Sequence, residues 1–137
     1  MGIFRVDFSL ANAAQPDREE QDVRAVVDTG AMHLCITPLI AKQLGFVSDE
    51  TRTVRVADGR LVEAPYVGPI RLQIMGRHIF TGALVLDGEP LLGAIPLEDL
   101  DLHVDPQRMR LIPNPESPDR PMSLAVGVLP AKRDEHA

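Results

Sequence analysis

One short segment of the chain combines residue types that could carry out acid–base chemistry. Asp28, Thr29 and Gly30 follow directly after the apolar residues Val26 and Val27. A carboxylate at the end of a core strand is costly unless a polar, hydrogen-bonded site surrounds it. A turn of small residues offers such a site, since Gly30 lets another backbone approach closely and the Thr29 hydroxyl can hold the turn. An Asp that only caps a β-turn is the alternative explanation of the tripeptide.

The elements that must position this segment are mostly strands. Apolar and polar residues alternate from Phe4 to Leu10, and Val23 to Val27 forms a second apolar run, so the two predict a hairpin that leads into Asp28. A short helix is predicted next, with Thr37 as its N-cap and Gly45 as its C-terminal stop.

Further hairpins are predicted downstream. Two alternating runs flank Asp58-Gly59, a dipeptide typical of a two-residue turn in which both residues have positive φ. Other hairpins are predicted about Gly76 and about Asp105-Pro106, and Ile95 to Leu100 is predicted as a helical turn. Many short strands with one helix predict an all-β barrel or sandwich.

Length and composition indicate one globular domain with a predominantly aliphatic core. The chain has 137 residues, of which 45% are hydrophobic, 25% are charged and only 4% are aromatic. Fourteen Lys and Arg against twenty Asp and Glu give a net charge of −6, so neither a nucleic acid nor an anionic membrane surface is an expected partner. The N-terminus has no apolar signal-peptide core, and the single cysteine, Cys35, cannot form an internal disulfide. We therefore expect a cytoplasmic protein.

The character of the chain changes near Pro113. Residues 1–112 carry the strand pattern, whereas residues 113–137 form a proline-rich tail. Within the tail, residues 123–129 are apolar enough to form a strand at a subunit interface. We expect a domain over 1–112 and a separate tail over 113–137.

Taken together and in order, these motifs resemble those of the retropepsin-like (clan AA) aspartic peptidases, particularly the compact single-lobe bacterial type. The resemblance runs from Phe4 to about Pro115, and its elements are Asp28-Thr29-Gly30-Ala31, the helix over 37–45, the hairpin at Ala57-Asp58-Gly59-Arg60, Gly68-Pro69, Pro90-Leu91-Leu92-Gly93 and Leu102-His103-Val104-Asp105-Pro106. It implies a closed β-barrel lobe with one short helix that acts as a homodimer on a peptide or protein substrate.

The resemblance also implies a catalytic role for Asp28, which in that family activates a water that attacks a peptide carbonyl. The chemistry needs two carboxylates that share one proton. The chain has one Asp-Thr-Gly and no Asp-Ser-Gly, and its other Asp-Gly pairs, Asp58-Gly59 and Asp87-Gly88, are typical of turns. A two-lobed monomeric peptidase is therefore excluded, and Asp28 of each subunit is expected to meet on a two-fold axis.

The remaining roles implied by the resemblance belong to three groups of residues. The active-site loop would contain Thr29, Gly30 and Ala31, and Leu92-Gly93 would pack beneath it. A mobile hairpin, the flap, would hold an extended substrate through backbone hydrogen bonds; its residues would be Val56, Asp58, Gly59, Arg60 and Leu61. An inert hairpin is the alternative for this segment.

A metal site or a Cys/His catalytic site is a rival interpretation. His33 and Cys35 alternate on a predicted strand and share a face, but zinc would need two more ligands, and His78 and His103 lie at spacings that match no known ligand pattern. We expect a buried thiol beside a partly exposed imidazole, with no metal and no cofactor.

The stronger rival keeps the fold but not the reaction. A retropepsin-like dimer can serve as a peptide-binding or scaffold module that is catalytically weak or inactive. The intact Asp28, Thr29 and Gly30 favour an aspartic endopeptidase, for which we expect narrow specificity.

Overall fold

The structure, a computed structural model, describes residues 2–127. In this part of the chain the elements are β1 (Arg5–Asn12), β2 (Gln21–Val27), β3 (Leu34–Ile36), α1 (Pro38–Gln43), β4 (Thr51–Arg55), β5 (Leu61–Ile74), β6 (Arg77–Val85), β7 (Leu91–Leu92), α2 (Ala94–Asp99), β8 (Leu102–Asp105) and β9 (Arg110–Pro113). The predicted mostly β architecture is confirmed.

Seven of these strands form one sheet, in the order β1-β2-β7-β3-β6-β5-β4, and β8 pairs with β9 separately. Strand β1 also pairs with β5, so the hydrogen-bonded order returns to the first strand. Most neighbours are antiparallel, but β7 runs parallel to β2, and β3 runs parallel to β6. Because β7 pairs with both β2 and β3, these three strands come together beside the Asp28 segment.

The predicted hairpins are present, but the turn at Asp58-Gly59 differs in type from the expectation. Strand β4 pairs with β5 across residues 56–60, and only Gly59 has a positive φ there, 88°. The prediction of a two-residue turn at Asp58-Gly59 is therefore wrong. The loop is longer, and the Asp58 carboxylate stabilises it by accepting a hydrogen bond from the Arg60 amide (3.0 Å). The predicted hairpin of β5 and β6 does have a two-residue turn, in which Met75 and Gly76 have φ values of 53° and 74°.

The predicted helix is α1, and its ends match the expectation. The Thr37 hydroxyl accepts a hydrogen bond from the Ile40 amide (3.2 Å), and Gly45 ends the helix with a φ of 77°. The helical turn predicted at Ile95 to Leu100 is a second short helix, α2, over residues 94–99, where the predicted fold class named one helix. Its start carries no sequence signal, since its N-cap is Gly93, which has no side chain to cap it.

The main core is aliphatic, as the composition predicts. Its largest fully buried side chains are Leu10, Leu34, Ile36, Leu44, Ile70, Leu72, Leu92, Leu100 and Pro96. A smaller group, which we call the second cluster, lies apart from it and consists of Cys35, Ala64 and Leu84, with Val54, Tyr66, Leu86 and Leu91 packed against them.

The first part of the tail is bonded to the domain. Arg77 is buried and donates hydrogen bonds to the carbonyls of Leu100 (3.0 Å) and Ser117 (2.6 Å). The Asp101 carboxylate accepts hydrogen bonds from the Ser117 hydroxyl and the Asn114 amide, and these bonds hold the pKa of Asp101 at about 2. Of the predicted interface segment, residues 123–127 form no strand in this chain, and residues 128–129 lie outside the described residues.

Candidate active site

Asp28 lies at the end of β2, where backbone hydrogen bonds fix its position. The Asp28 amide donates to the carbonyl of Leu92 on β7 (3.0 Å), and the Asp28 carbonyl accepts from the Ala31 amide (3.1 Å). The carboxylate oxygen Oδ1 accepts from the Gly30 amide (2.9 Å). The carboxylate is half-buried, so its orientation is set by the turn while it stays accessible.

The segment Leu92-Gly93 supports this loop from β7 and the start of α2. A Cβ atom added to Gly93 would lie 2.4 Å from the carbonyl oxygen of His33 and 2.8 Å from that of Ala31. The amides of Ala94 and Ile95 continue the contact, since they donate to the carbonyls of Ala31 (2.8 Å) and Met32 (2.9 Å). The absence of a side chain at Gly93 is what allows the two backbones to approach this closely.

The N-terminal segment runs along the other side of the loop. The Val27 amide donates to the carbonyl of Phe4 (3.0 Å), and Ile3 is 70% exposed. Thr29 is also exposed. A cavity of about 250 Å³ lies here, lined by Gly2, Ile3, Phe4, Val26, Val27, Asp28, Thr29 and Val104. Two larger cavities, of about 470 and 770 Å³, contain neither Asp28 nor a residue of the 56–60 loop.

The predicted flap residues lie in the hairpin of β4 and β5, and we use the name flap for this whole hairpin from here on. Val56 is half-buried, whereas Asp58, Gly59 and Arg60 are exposed, and Leu61 is 60% exposed. The Arg60 guanidinium pairs with the Asp58 carboxylate (2.6 Å) within the loop. The side chain of Arg55 donates to the Gly59 carbonyl (3.0 Å), so the loop is held by its own residues.

The second cluster connects the flap with the Asp28 segment. Val54 and Ala64 come from the flap, Leu91 precedes Leu92 on β7, and Cys35 follows the active-site loop. Burial raises the pKa of the Cys35 thiol to about 11, and the nearby charge of Asp28 adds to this rise. A thiol with so high a pKa is not a nucleophile at neutral pH.

Three residues at the edge of the second cluster contact one another. The Arg52 guanidinium lies 4.1 Å above the centre of the Tyr66 ring, and its Nη1 is 3.3 Å from Nε2 of His33. The rings of His33 and Tyr66 meet edge to face, 5.8 Å apart. Burial and the charge of Arg52 lower the pKa of His33, which favours the neutral imidazole. Sequence reasoning did not identify Arg52 or Tyr66 as site residues.

The histidines and the cysteine are not gathered into a metal centre in the described part of the chain. No group of three or more His, Cys, Asp or Glu side chains there is placed to hold a metal ion. His33 contacts Arg52 and Tyr66, and Cys35 is buried with its Sγ 3.9 Å from the His33 carbonyl. Among residues 2–127, no helix is long and apolar enough to span a membrane.

Comparisons with known proteins agree with this geometry. The family model described as "Aspartyl protease" matches residues 15–95, which is more than half of the chain. The retroviral EIAV protease, solved in complex with the inhibitor HBY-793, has a similar fold, with a TM-score of 0.53 and 24% identity over 71% of this chain and 88% of that chain. A search of the curated proteins found no match. The chain therefore belongs to the aspartyl protease family and has a retropepsin-like fold.

Proposed function

We propose that the protein is an aspartic endopeptidase of narrow specificity whose active site forms across a homodimer. Asp28 and Asp28 of the partner subunit would supply the two carboxylates. The observation that carries the proposal is the Asp28 turn, in which the Gly30 amide orients a single accessible carboxylate while main-chain bonds hold Asp28 beside β7. The proposed closed barrel rests on the pairing of β1 with both β2 and β5.

The chemistry requires the two carboxylates to differ in protonation. Like charges in contact cannot both ionise cheaply, so the pair holds one shared proton. The ionised carboxylate takes a proton from a bound water, whose oxygen attacks the peptide carbonyl, and the protonated carboxyl donates to the carbonyl oxygen. Collapse of the tetrahedral intermediate breaks the C–N bond, with a proton passed to the leaving amine.

The geometry of one chain supports a site completed by a second copy. Each chain offers one Asp-Thr-Gly, and the glycines of Asp58-Gly59 and Asp87-Gly88 both have positive φ, as expected of turns. Exposed Thr29 and Ile3 lie beside the Asp28 loop, where a partner could cover them. The cavity next to Asp28 is small, which fits a cleft that one lobe only half encloses.

The flap would close over a substrate bound in an extended conformation. Strand-like hydrogen bonds from a hairpin bind peptide backbone regardless of its sequence, while side-chain pockets provide selectivity. Val56 and Leu61 would offer apolar contacts near the loop, and the second cluster would form the apolar wall between the flap and Asp28. The Arg60–Asp58 pair would shape the loop whose residues contact the substrate.

The test compares peptide-library cleavage by the native chain and Asp28→Asn between about pH 4 and about pH 7.5, since a dyad with one shared proton is often best populated below neutral pH. We expect Asp28→Asn to lose about 10³-fold or more of the activity, because the amide cannot act as a base. Asp87→Asn is the matched control, since it alters another exposed Asp-Gly pair that lies in a turn. Equal activity of the native chain and Asp28→Asn would refute the proposal.

A catalytically inactive peptide-binding dimer is the second candidate, since an active peptidase and an inactive binder would both retain the Asp28 loop and the flap. It predicts no cleavage at any pH from a folded dimer that still binds peptides. Fluorescence anisotropy with labelled library peptides, run on the same preparations, separates this outcome from a misfolded sample.

A further inference from the structure

The Arg52 guanidinium is a cation that the chain holds in place without neutralising it. Within residues 2–127 the Arg–carboxylate pairs join Arg5 to Glu89, Arg24 to Asp7, Arg60 to Asp58, and Arg108 and Arg110 to Asp105, and none includes Arg52. Its contacts are the Tyr66 ring and Nε2 of His33. Neither contact carries a negative charge, so the remaining guanidinium N–H groups are free to bind an anion.

Glu63, the acidic residue of β5, is directed away from Arg52. Glu63 accepts hydrogen bonds from the hydroxyls of Thr51 and Thr53. Side chains alternate along a strand, so Thr51 and Thr53 lie on the face of β4 opposite to Arg52. The charge of Glu63 therefore stays on the outer face of the flap.

Arg52 lies on the face of the flap that carries the second cluster. It is paired in register with Ala64, a buried member of that cluster, and Val54 follows it two residues later on the same face. Because Cys35 and Leu91 join the same cluster from beside the Asp28 loop, Arg52 lies at the outer end of the apolar wall.

The ring of Tyr66 packs against Gly82, which has no side chain. A Cβ atom added to Gly82 on β6 would lie 2.2 Å from the Tyr66 hydroxyl oxygen and 2.4 Å from the ring carbon Cζ. The ring therefore occupies space that any larger residue at position 82 would fill. With Tyr66 on one side and His33 on another, the guanidinium loses little further freedom when it binds a ligand.

We propose that Arg52 is a specificity-determining residue that binds a substrate carboxylate at the outer end of the cleft, with His33 and Tyr66 as positioning residues. This inference rests on the proposed peptidase function. The guanidinium fork matches a carboxylate through two parallel hydrogen bonds, and its stacking on an aromatic ring is retained when it does so. The carboxylate can belong to an Asp or Glu side chain of the peptide or to its C-terminus.

The experiment starts from the peptides that the native chain cleaves in a library and measures kcat/KM for matched pairs. One arm exchanges each Glu or Asp for Gln or Asn, and the other converts the C-terminal carboxylate to an amide. We expect one of these changes to lower kcat/KM by about 10- to 100-fold, the usual range for a charge-assisted pair. The arm that responds identifies the source of the carboxylate.

Substitutions assign the preference to Arg52. Arg52→Gln should abolish the preference, so that the charged and uncharged peptides of a pair have equal kcat/KM, whereas Arg52→Lys should keep only part of it because an ammonium lacks the fork. Tyr66→Phe keeps the ring and should retain the preference, but Tyr66→Leu and Gly82→Ala should weaken it. Arg71→Gln on β5, whose side chain bonds to Gln73, is the matched control.

Two results would overturn the inference: equal kcat/KM for the charged and uncharged peptides of every pair, or a preference that survives in Arg52→Gln. If the native chain cleaves nothing, the proposed peptidase function is rejected. The carboxylate preference is then measured as peptide binding by fluorescence anisotropy. Matched Glu and Gln peptides binding equally to the native chain would then reject the subsite separately.

Discussion

Gly93 has no room for a side chain where it packs against the Asp28 loop. A Cβ atom there would meet backbone atoms of Ala31 and His33, which cannot rotate away as a flexible side chain can. We expect Gly93→Ala to lower the free energy of unfolding by about 1–3 kcal/mol, the usual cost of overpacking. Urea denaturation measures this. Gly127→Ala, where nothing lies within 4 Å, is the control, and equal stability of the two variants would contradict the prediction.

At the residue scale, local motifs could be predicted and contacts between distant segments could not. Asp28 and Gly93 stand in short motifs whose chemistry is visible along the chain, and the structure places them in contact with the same loop. Arg52 and Tyr66 were missed because their meeting with His33 depends on the pairing of β4 with β5 and of β5 with β6. A lone Arg in an alternating strand carries no signal of such a partner.

At the element scale, the β5–β6 turn contains an unfavourable residue. Met75 has a φ of 53° in a two-residue turn, a conformation that favours Asn or Gly, and it is 50% exposed. We expect Met75→Asn to raise the free energy of unfolding by about 0.5–1 kcal/mol because the strain is relieved. Met122→Asn is a matched control, since Met122 is 51% exposed and has no positive φ. Thermal unfolding of both variants decides the prediction, and a lower midpoint for Met75→Asn would count against it.

Turn chemistry explains which elements the sequence predicted well. The helix α1 has a Thr N-cap and a C-terminal Gly, and both ends lie where expected. Asp58-Gly59 has the composition of a two-residue turn, yet β4 ends at Arg55 and β5 begins at Leu61, so a longer loop forms. Hydrogen bonds inside the loop, from the Gly59 amide to the Val56 carbonyl (2.9 Å) and from the Arg60 amide to the Asp58 carboxylate, stabilise this longer form.

At the scale of the whole molecule, the boundary predicted at residue 112 remains a prediction, and the contacts of the tail favour a later one. Ser117 is bonded to both Arg77 and Asp101, and the Met122 amide also donates to Asp101 (3.0 Å). The pKa of Asp101 is depressed to about 2, so its contribution to stability is present above its unfolded value of 3.8 and is lost as the pH falls through 2. The tail contact therefore persists through the mildly acidic range in which a carboxylate dyad operates.

The proposed dimeric site makes a prediction that can be tested only on the assembled molecule. If each dyad needs Asp28 from both subunits, a heterodimer of native and Asp28→Asn chains has one carboxylate and is inactive. Random pairing at fixed total concentration then gives activity proportional to the square of the native fraction, so an equal mixture retains about one quarter of the activity. We expect this curve when the chains are mixed, allowed to exchange and assayed above the dissociation constant. Mixing with Asp87→Asn should leave activity unchanged. A linear decline with Asp28→Asn would show that each chain carries a complete site, because only independent sites lose activity in proportion to the variant added.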